Sequence, residues 1–340
     1  MKSSVTSSKN NQKRIKLLYL AGALFFIAAA FFGICLGSTR LTIAELSEAF
    51  AKGFETPAGR IFLYVRLPRT AACLVCGGAL AVSGAVIQCV LANRLASPSV
   101  IGVNAGAGLA VTLCTAFGIY GGFRLSIAAF IGAFLAVLCV SLSARGLGAS
   151  RGTVILLGVA MNSFLNAISD AIVTLIPEVG VMSSDFRVGE FSSVTYKKLI
   201  PAAVIIILSL AALLTLTSEL DVLTLGEESA SGLGMNTKAS RIIFLLIASL
   251  LAGSAVSVAG LLSFVGLIVP HAVRRISGSR SSGLIGLCAL FGGGFVCLCD
   301  TAARTLFAPY EVPVGIIMAF LGAPFFVFIL AKGKGGHSDA

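Results

Sequence analysis

Val265-Gly266-Leu267-Ile268-Val269-Pro270-His271-Ala272-Val273-Arg274-Arg275 closes a 32-residue run, Ile242 to Val273, that holds no Asp, Glu, Lys or Arg. A single helix of that length would measure about 48 Å, against a bilayer hydrocarbon core of about 30 Å. Ala259-Gly260 offers a break inside the run, and Arg274-Arg275 marks its end. Undivided, the run leaves nine apolar segments in the chain and places these arginines on the side opposite the N-terminus. Divided at Gly260, it gives ten segments, a short eighth helix, and arginines on the N-terminal side. Lys and Arg accumulate in the cytoplasmic loops of membrane proteins. The second division is therefore the better reading.

The remainder of the chain supports a membrane solvent. Its 340 residues are 57% hydrophobic and 11% charged, with a mean hydropathy of +1.00. Soluble domains carry about 25% charged residues. The apolar runs are continuous rather than alternating, so helices are expected and a strand barrel is not. The other runs are Leu17–Thr39, Thr70–Asn93, Leu95–Phe123, Leu125–Ala144, Gly152–Ser169, Leu199–Ser218, Ser281–Cys299 and Val312–Ala331. Leu95–Phe123 is long, but its polar start is turn-like, and it reads as one helix. The expected fold is all-α, a polytopic membrane protein with about ten transmembrane helices. Residues 1–16 and 333–340 read as cytoplasmic tails around a domain spanning 17–332. Fifteen of the 25 Lys and Arg then lie inside and ten outside.

The net charge of +11 is dispersed around the apolar runs, with no basic helix or aromatic platform for nucleic acid. Most of the nine cysteines sit within apolar runs, where Cys acts as a small hydrophobe. Cys73-Leu74-Val75-Cys76 lacks the second pair that a zinc site needs, and no metal site is expected. Leu17–Cys35 follows a basic start with no small-x-small cleavage pattern before Arg40, so it reads as an uncleaved first helix. Asp170, just past the Gly152–Ser169 run, is the clearest ionisable residue inside an expected helix, which makes it a pathway candidate.

Between the sixth and seventh helices lies a polar stretch, 219–237. Within it Glu227–Leu233 reads as a short helix between glycine stops, with Glu227 and Glu228 at the positive end of its dipole. Leu223, Leu225 and Leu233 supply an apolar side. Such a helix serves equally well as a connector or as a docking knob for a cytosolic partner.

Gly226-Glu227-Glu228-Ser229-Ala230-Ser231-Gly232-Leu233-Gly234 resembles the coupling segment of FecCD-type permeases, the membrane subunits of ATP-binding-cassette importers for iron–siderophores, haem and vitamin B12. Arg66-Leu67-Pro68-Arg69-Thr70 resembles the family's motif ahead of helix 2, and Ser97 through Gly108 the start of its helix 3. Gly260 through His271 fits its G-x-x-x-FVGL-x-VPH pattern, and Val312-Pro313-Val314-Gly315 with Leu321 through Phe326 its last helix. The matches run in order from about residue 60 to 330.

The resemblance implies a type II ABC importer permease in a bacterial cytoplasmic membrane, not an enzyme. Its expected partners are a second permease subunit, two cytosolic ATPase subunits and an extracytoplasmic substrate-binding protein. It implies ATPase coupling through Gly226, Glu227, Glu228, Ala230, Gly232, Leu233 and Gly234. Docking of the binding protein falls to Arg66, Arg69 and Arg304, although an Arg304–Asp300 ion pair one turn away is an equal alternative. Asn104, Gly106 and Gly108 join Asp170 as pathway candidates. No cofactor is expected on this chain: it has no Gly-x-x-x-x-Gly-Lys-Ser/Thr loop, so ATP and Mg belong to the partner ATPase. The cargo expected is an iron–siderophore, with haem or vitamin B12 as alternatives. Two departures stand out: Asn93-Arg94-Leu95-Ala96 replaces the usual Asn-Pro-Leu-Ala, and the chain has no Trp. An intramembrane serine protease is disfavoured: Ser83 offers a nucleophile, but the near-membrane histidine, His271, sits beside arginines. An ion-coupled transporter would carry more intramembrane acids.

Overall fold

The computed structural model describes residues 2–38, 55–146, 151–277 and 281–334, and these contain helices and no strand. Ten helices of 13 residues or more follow one another. They are α1 (Lys2–Cys35), α2 (Leu67–Val90), α3 (Val103–Ala116), α4 (Gly122–Gly146), α5 (Arg151–Leu175), α6 (Tyr196–Thr215), α7 (Thr237–Ala259), α8 (Val265–Ser277), α9 (Ser281–Thr305) and α10 (Val314–Lys334). Residues 2–16, expected as a tail, continue α1 as helix. Seven of the spans are long and apolar enough to cross a membrane, α3 and residues 314–328 of α10 are shorter apolar helices, and α8 is a 13-residue helix that ends in Arg274 and Arg275. "First face" denotes the side where α1 begins.

The centre of the bundle is α2, packed against α7, α8 and α9. Small residues put it there. A Cβ on Gly84 would collide with the Gly266 carbonyl of α8, and one on Gly77 would lie 2.5 Å from the Gly292 oxygen of α9. Between membrane helices there is no water to expel, so close backbone approach of this kind supplies the packing energy. A π-helical turn, Ile61–Arg66, leads into α2 ahead of Pro68. A wider turn accommodates a proline that lacks an N–H to donate.

The division at Gly260 is found where the sequence places it. Gly260 ends α7 with φ of +71°, and α8 starts at Val265. The intervening backbone, residues 260–264, lies outside both helices and needs other partners. Phe186 O accepts from Leu261 N at 2.8 Å, and Ala259 O accepts from Glu190 N at 2.9 Å. The short helices Pro177–Met182 and Ser184–Val188 bring that loop into position.

The expectation of one long helix over Leu95–Phe123 is corrected. Residues 95–102 form turns, and α3 has 14 residues. Pro98 disfavours helical backbone at Ser97, and Gly102 takes φ of +101°. Asn162 of α5 donates to the Ser99 and Val100 carbonyls at 2.8 and 3.1 Å, which satisfies oxygens that a helix would have bonded internally.

Candidate functional site

On the first face the chain between α6 and α7 folds into two short helices, Thr217–Thr224 and Glu227–Gly232. The first is anchored. Its Leu220 and Leu223 are buried, its Asp221 accepts from Ser281 N at 2.9 Å, and the Leu223 carbonyl accepts from Arg151 at 3.0 Å. Leu223 therefore belongs to the core and not to an exposed apolar side, whereas Leu225 and Leu233 remain exposed. Gly226, with φ of +111°, turns the chain into the second helix, and Gly234, with φ of +82°, turns it out. Met235 N closes that turn on the Ala230 carbonyl at 3.1 Å.

Of the expected coupling residues, Ala230 is the buried foot, while Glu228, Gly232, Leu233 and Gly234 face outward. Glu227 Oε2 accepts from Arg241 at 3.0 Å, and Arg241 stands on the first turn of α7. The segment is thus a small polar knob with an apolar tip, Leu233, 67% exposed. An ion pair joins it to the start of a membrane helix.

On the opposite face the three arginines expected to be exposed are buried. Arg66 and Arg304 are 3% exposed and Arg69 5%. Arg69 donates to both oxygens of Asp300 and, at 2.7 Å, to Glu311. Arg304 pairs with Asp300 at 3.0 Å, the alternative that the sequence offered. It also donates to Gly33 O, and Arg66 to Ile34 O and Cys35 O. Those carbonyls belong to the last turn of α1, where unbonded oxygens and the negative dipole end favour cations. The physical reason for the burial is Asp300, fully enclosed in α9, because removing one partner of a buried ion pair is strongly destabilising.

Glu311 forms the rim of this cluster. Burial pushes its carboxyl up, but hydrogen bonds from Ser38 and Arg69 and the nearby Arg69 charge outweigh that and hold it below the usual carboxylate range. Glu311 and Ser38 were not foreseen. Arg40 and Lys52, counted with the outer charges, lie outside the described residues.

The pathway candidates separate. Gly106 is a packing residue: a Cβ there would strike the Gly132 carbonyl of α4. Gly108 faces open space apart from Leu261 at 3.6 Å, and Asn104 is half-buried in the first turn of α3. Asp170 is exposed and pairs with Arg187 at 3.0 Å.

The arrangement has relatives. The family model of the FecCD transport family matches residues 24–332. The Fe(3+)-citrate import system permease protein YfmD of Bacillus subtilis is 32% identical, with 96% of this chain and 98% of that protein covered. The iron(3+)-hydroxamate import system permease protein FhuG of the same organism is 33% identical, with 94% and 98% covered. A solved inward-facing chain assigned to metal-chelate type ABC transporters superposes with a TM-score of 0.83 at 27% identity, over 93% of this chain and 99% of that one. The all-helical bundle is that of a non-enzymatic, multi-pass transport subunit, and the chain belongs to the FecCD transport family.

Proposed function

We propose that this chain is the permease of an ATP-driven importer that carries an iron–siderophore complex across the cytoplasmic membrane, with both termini in the cytoplasm. Two permease subunits form the pathway, and two cytosolic ATPase subunits grip the knob on each. The observation that carries the reading is the Glu227–Gly232 helix: seated on Ala230, bridged to α7 through Arg241, and projecting from the bundle. Movement imposed on such a knob passes into α7 and so to the helix break at Gly260, which suits alternating access. The iron cargo follows the relatives named for iron citrate and iron hydroxamate import. An extracytoplasmic binding protein delivers it to the opposite face. Contact with that protein through Arg69 requires Glu311 to give way, because Glu311 is the rim-exposed acceptor of the cluster.

The test joins co-purification with uptake. The solubilised protein is expected to bring an ATPase subunit with it, and a deletion strain to lose uptake of labelled ferric siderophore. Glu227→Lys is expected to impair uptake in the complemented strain. Absence of any ATPase from the purified complex defeats the importer reading, and unchanged uptake removes Glu227 from the coupling path.

A further inference from the structure

A second feature of the first face lies apart from the knob's exposed tip. Where α4 ends and α7 begins, a cavity of about 30 Å³ is lined by Ser141, Arg145, Val154, Lys238, Arg241 and Leu245 among others. Three of these side chains are cations. Glu227 pairs with Arg241, and no ion pair joins Arg145 or Lys238 to an acid among the described residues. Ser141 Oγ lines the same cavity, its residue is 1% exposed, and it has no hydrogen-bond partner. A buried hydroxyl left in that state costs free energy unless something enters to bond it.

The helix ends add to the imbalance. The first turns of α5 and α7 contain no acidic residue, and Lys238 and Arg241 stand at the start of α7. The N-terminus of a helix carries a partial positive charge that disfavours cations. Asn236 caps α7 by accepting from Ala239 N, but Asn is neutral, so the cations Arg145, Lys238 and Arg241 around the cavity face one carboxylate, Glu227, and a further anion would complete the site's electrostatics.

The dimensions and surroundings define that anion. The space admits about two water-sized groups, which suits the two non-bridging oxygens of one phosphodiester and excludes a nucleotide. The residues next to the lining, Leu142 and Ile243, are exposed and apolar. Exposed apolar surface of α4 and α7 thus lies one residue along each helix from the lining residues Ser141 and Ile242. We infer that this pocket binds the phosphodiester of an anionic glycerophospholipid, with Ser141, Arg145, Lys238 and Arg241 as its donors. Its acyl chains lie along the exposed residues of α4 and α7. Because Glu227 and the phosphate share Arg241, lipid occupancy and the position of the short helix are linked. The leaflet follows from the orientation proposed above, and the binding does not.

The protein reconstituted in phosphatidylcholine nanodiscs with graded phosphatidylglycerol tests this by native mass spectrometry of retained lipid, with no ATPase present. Retention of phosphatidylglycerol over phosphatidylcholine is expected. Each cation near a membrane surface contributes about fivefold in affinity for anionic lipid, so Arg145→Gln with Lys238→Gln should lose about 25-fold. Arg145→Lys with Lys238→Arg should retain it, and Glu227→Gln should raise it severalfold by releasing Arg241. Arg124→Gln, an exposed charge at the other end of α4, is the control and should change little. Equal retention of the two lipids, or an equal loss in the Arg124 variant, overturns the assignment. Protection of the pocket by inorganic phosphate without competition from phosphatidylglycerol makes it a soluble-phosphate site and also overturns it. An unchanged Glu227→Gln overturns the link to the short helix.

Discussion

Asp300 holds the opposite-face cluster together, because two arginines from different helices converge on its one carboxylate. Neutralising it leaves Arg69 and Arg304 buried with too little negative charge, and removing one partner of a buried pair costs about 3–5 kcal/mol. Asp300→Asn is therefore expected to lower the thermal unfolding midpoint in detergent clearly, whereas Glu311→Gln, at the rim, lowers it less. Equal effects would show that the enclosed carboxylate is not the centre of the cluster. Glu311 adds a pH dependence. Its carboxyl is depressed in the folded protein, so its stabilisation is complete above the ordinary value of 4.5 and is lost as pH falls through the lower folded value. Wild-type protein should show a stability loss, as pH falls below that ordinary value, that Glu311→Gln lacks. The Arg304–Asp300 pair was readable from its four-residue spacing. The Arg69–Asp300 pair was not, since 231 positions separate the partners and only the packing of α2 on α9 brings them together.

At the scale of elements, α2 and α8 show how glycine sets helix spacing in this bundle. Gly84→Ala places a methyl group against the Gly266 carbonyl, and the helices must separate. Overpacking of this kind costs about 1–3 kcal/mol. The same variant should weaken the bond from Gln88 Nε2 to Gly266 O, now 3.1 Å, and loosen α8 in hydrogen exchange. Unchanged exchange in α8 would mean that Gly84 does not set that spacing. Charge-free runs reveal the number of helices because a charge is expensive in hydrocarbon. They reveal less about where a helix starts. Ala96 through Gly102 is as uncharged as α3 itself, yet it is turned, and the side chain that makes this tolerable is Asn162 on another helix. The knob was legible for the opposite reason, since two glycines bound it in sequence and both adopt positive φ.

Over the whole molecule, exposure is uneven. The central span of α2 is 89% buried, whereas those of α5 and α6 are 17% and 28% buried although their residues are apolar. Lipid or another subunit must cover those outer faces. The alternation of ten crossings also fixes which features share a side. The Arg14–Ile276 and Tyr19–Ser282 hydrogen bonds tie the start of α1 to the end of α8 and the start of α9, on the face that carries the knob. Arg66 and Arg304 meet the end of α1 on the other face. Two engineered cysteines in a background without native cysteines therefore make a decisive pair. Ser231→Cys on the knob and Tyr310→Cys beside Glu311 are both exposed. In intact cells a membrane-impermeant maleimide should label position 310 and not 231, and permeabilisation should make 231 reactive. Labelling of both from one side would mean an odd number of crossings between them is wrong, and the division of Ile242–Val273 into α7 and α8 would be lost with it. The two helices are one crossing each, so only their separation keeps Arg274 and Arg275 on the face of the knob while α9 returns position 310 to the other.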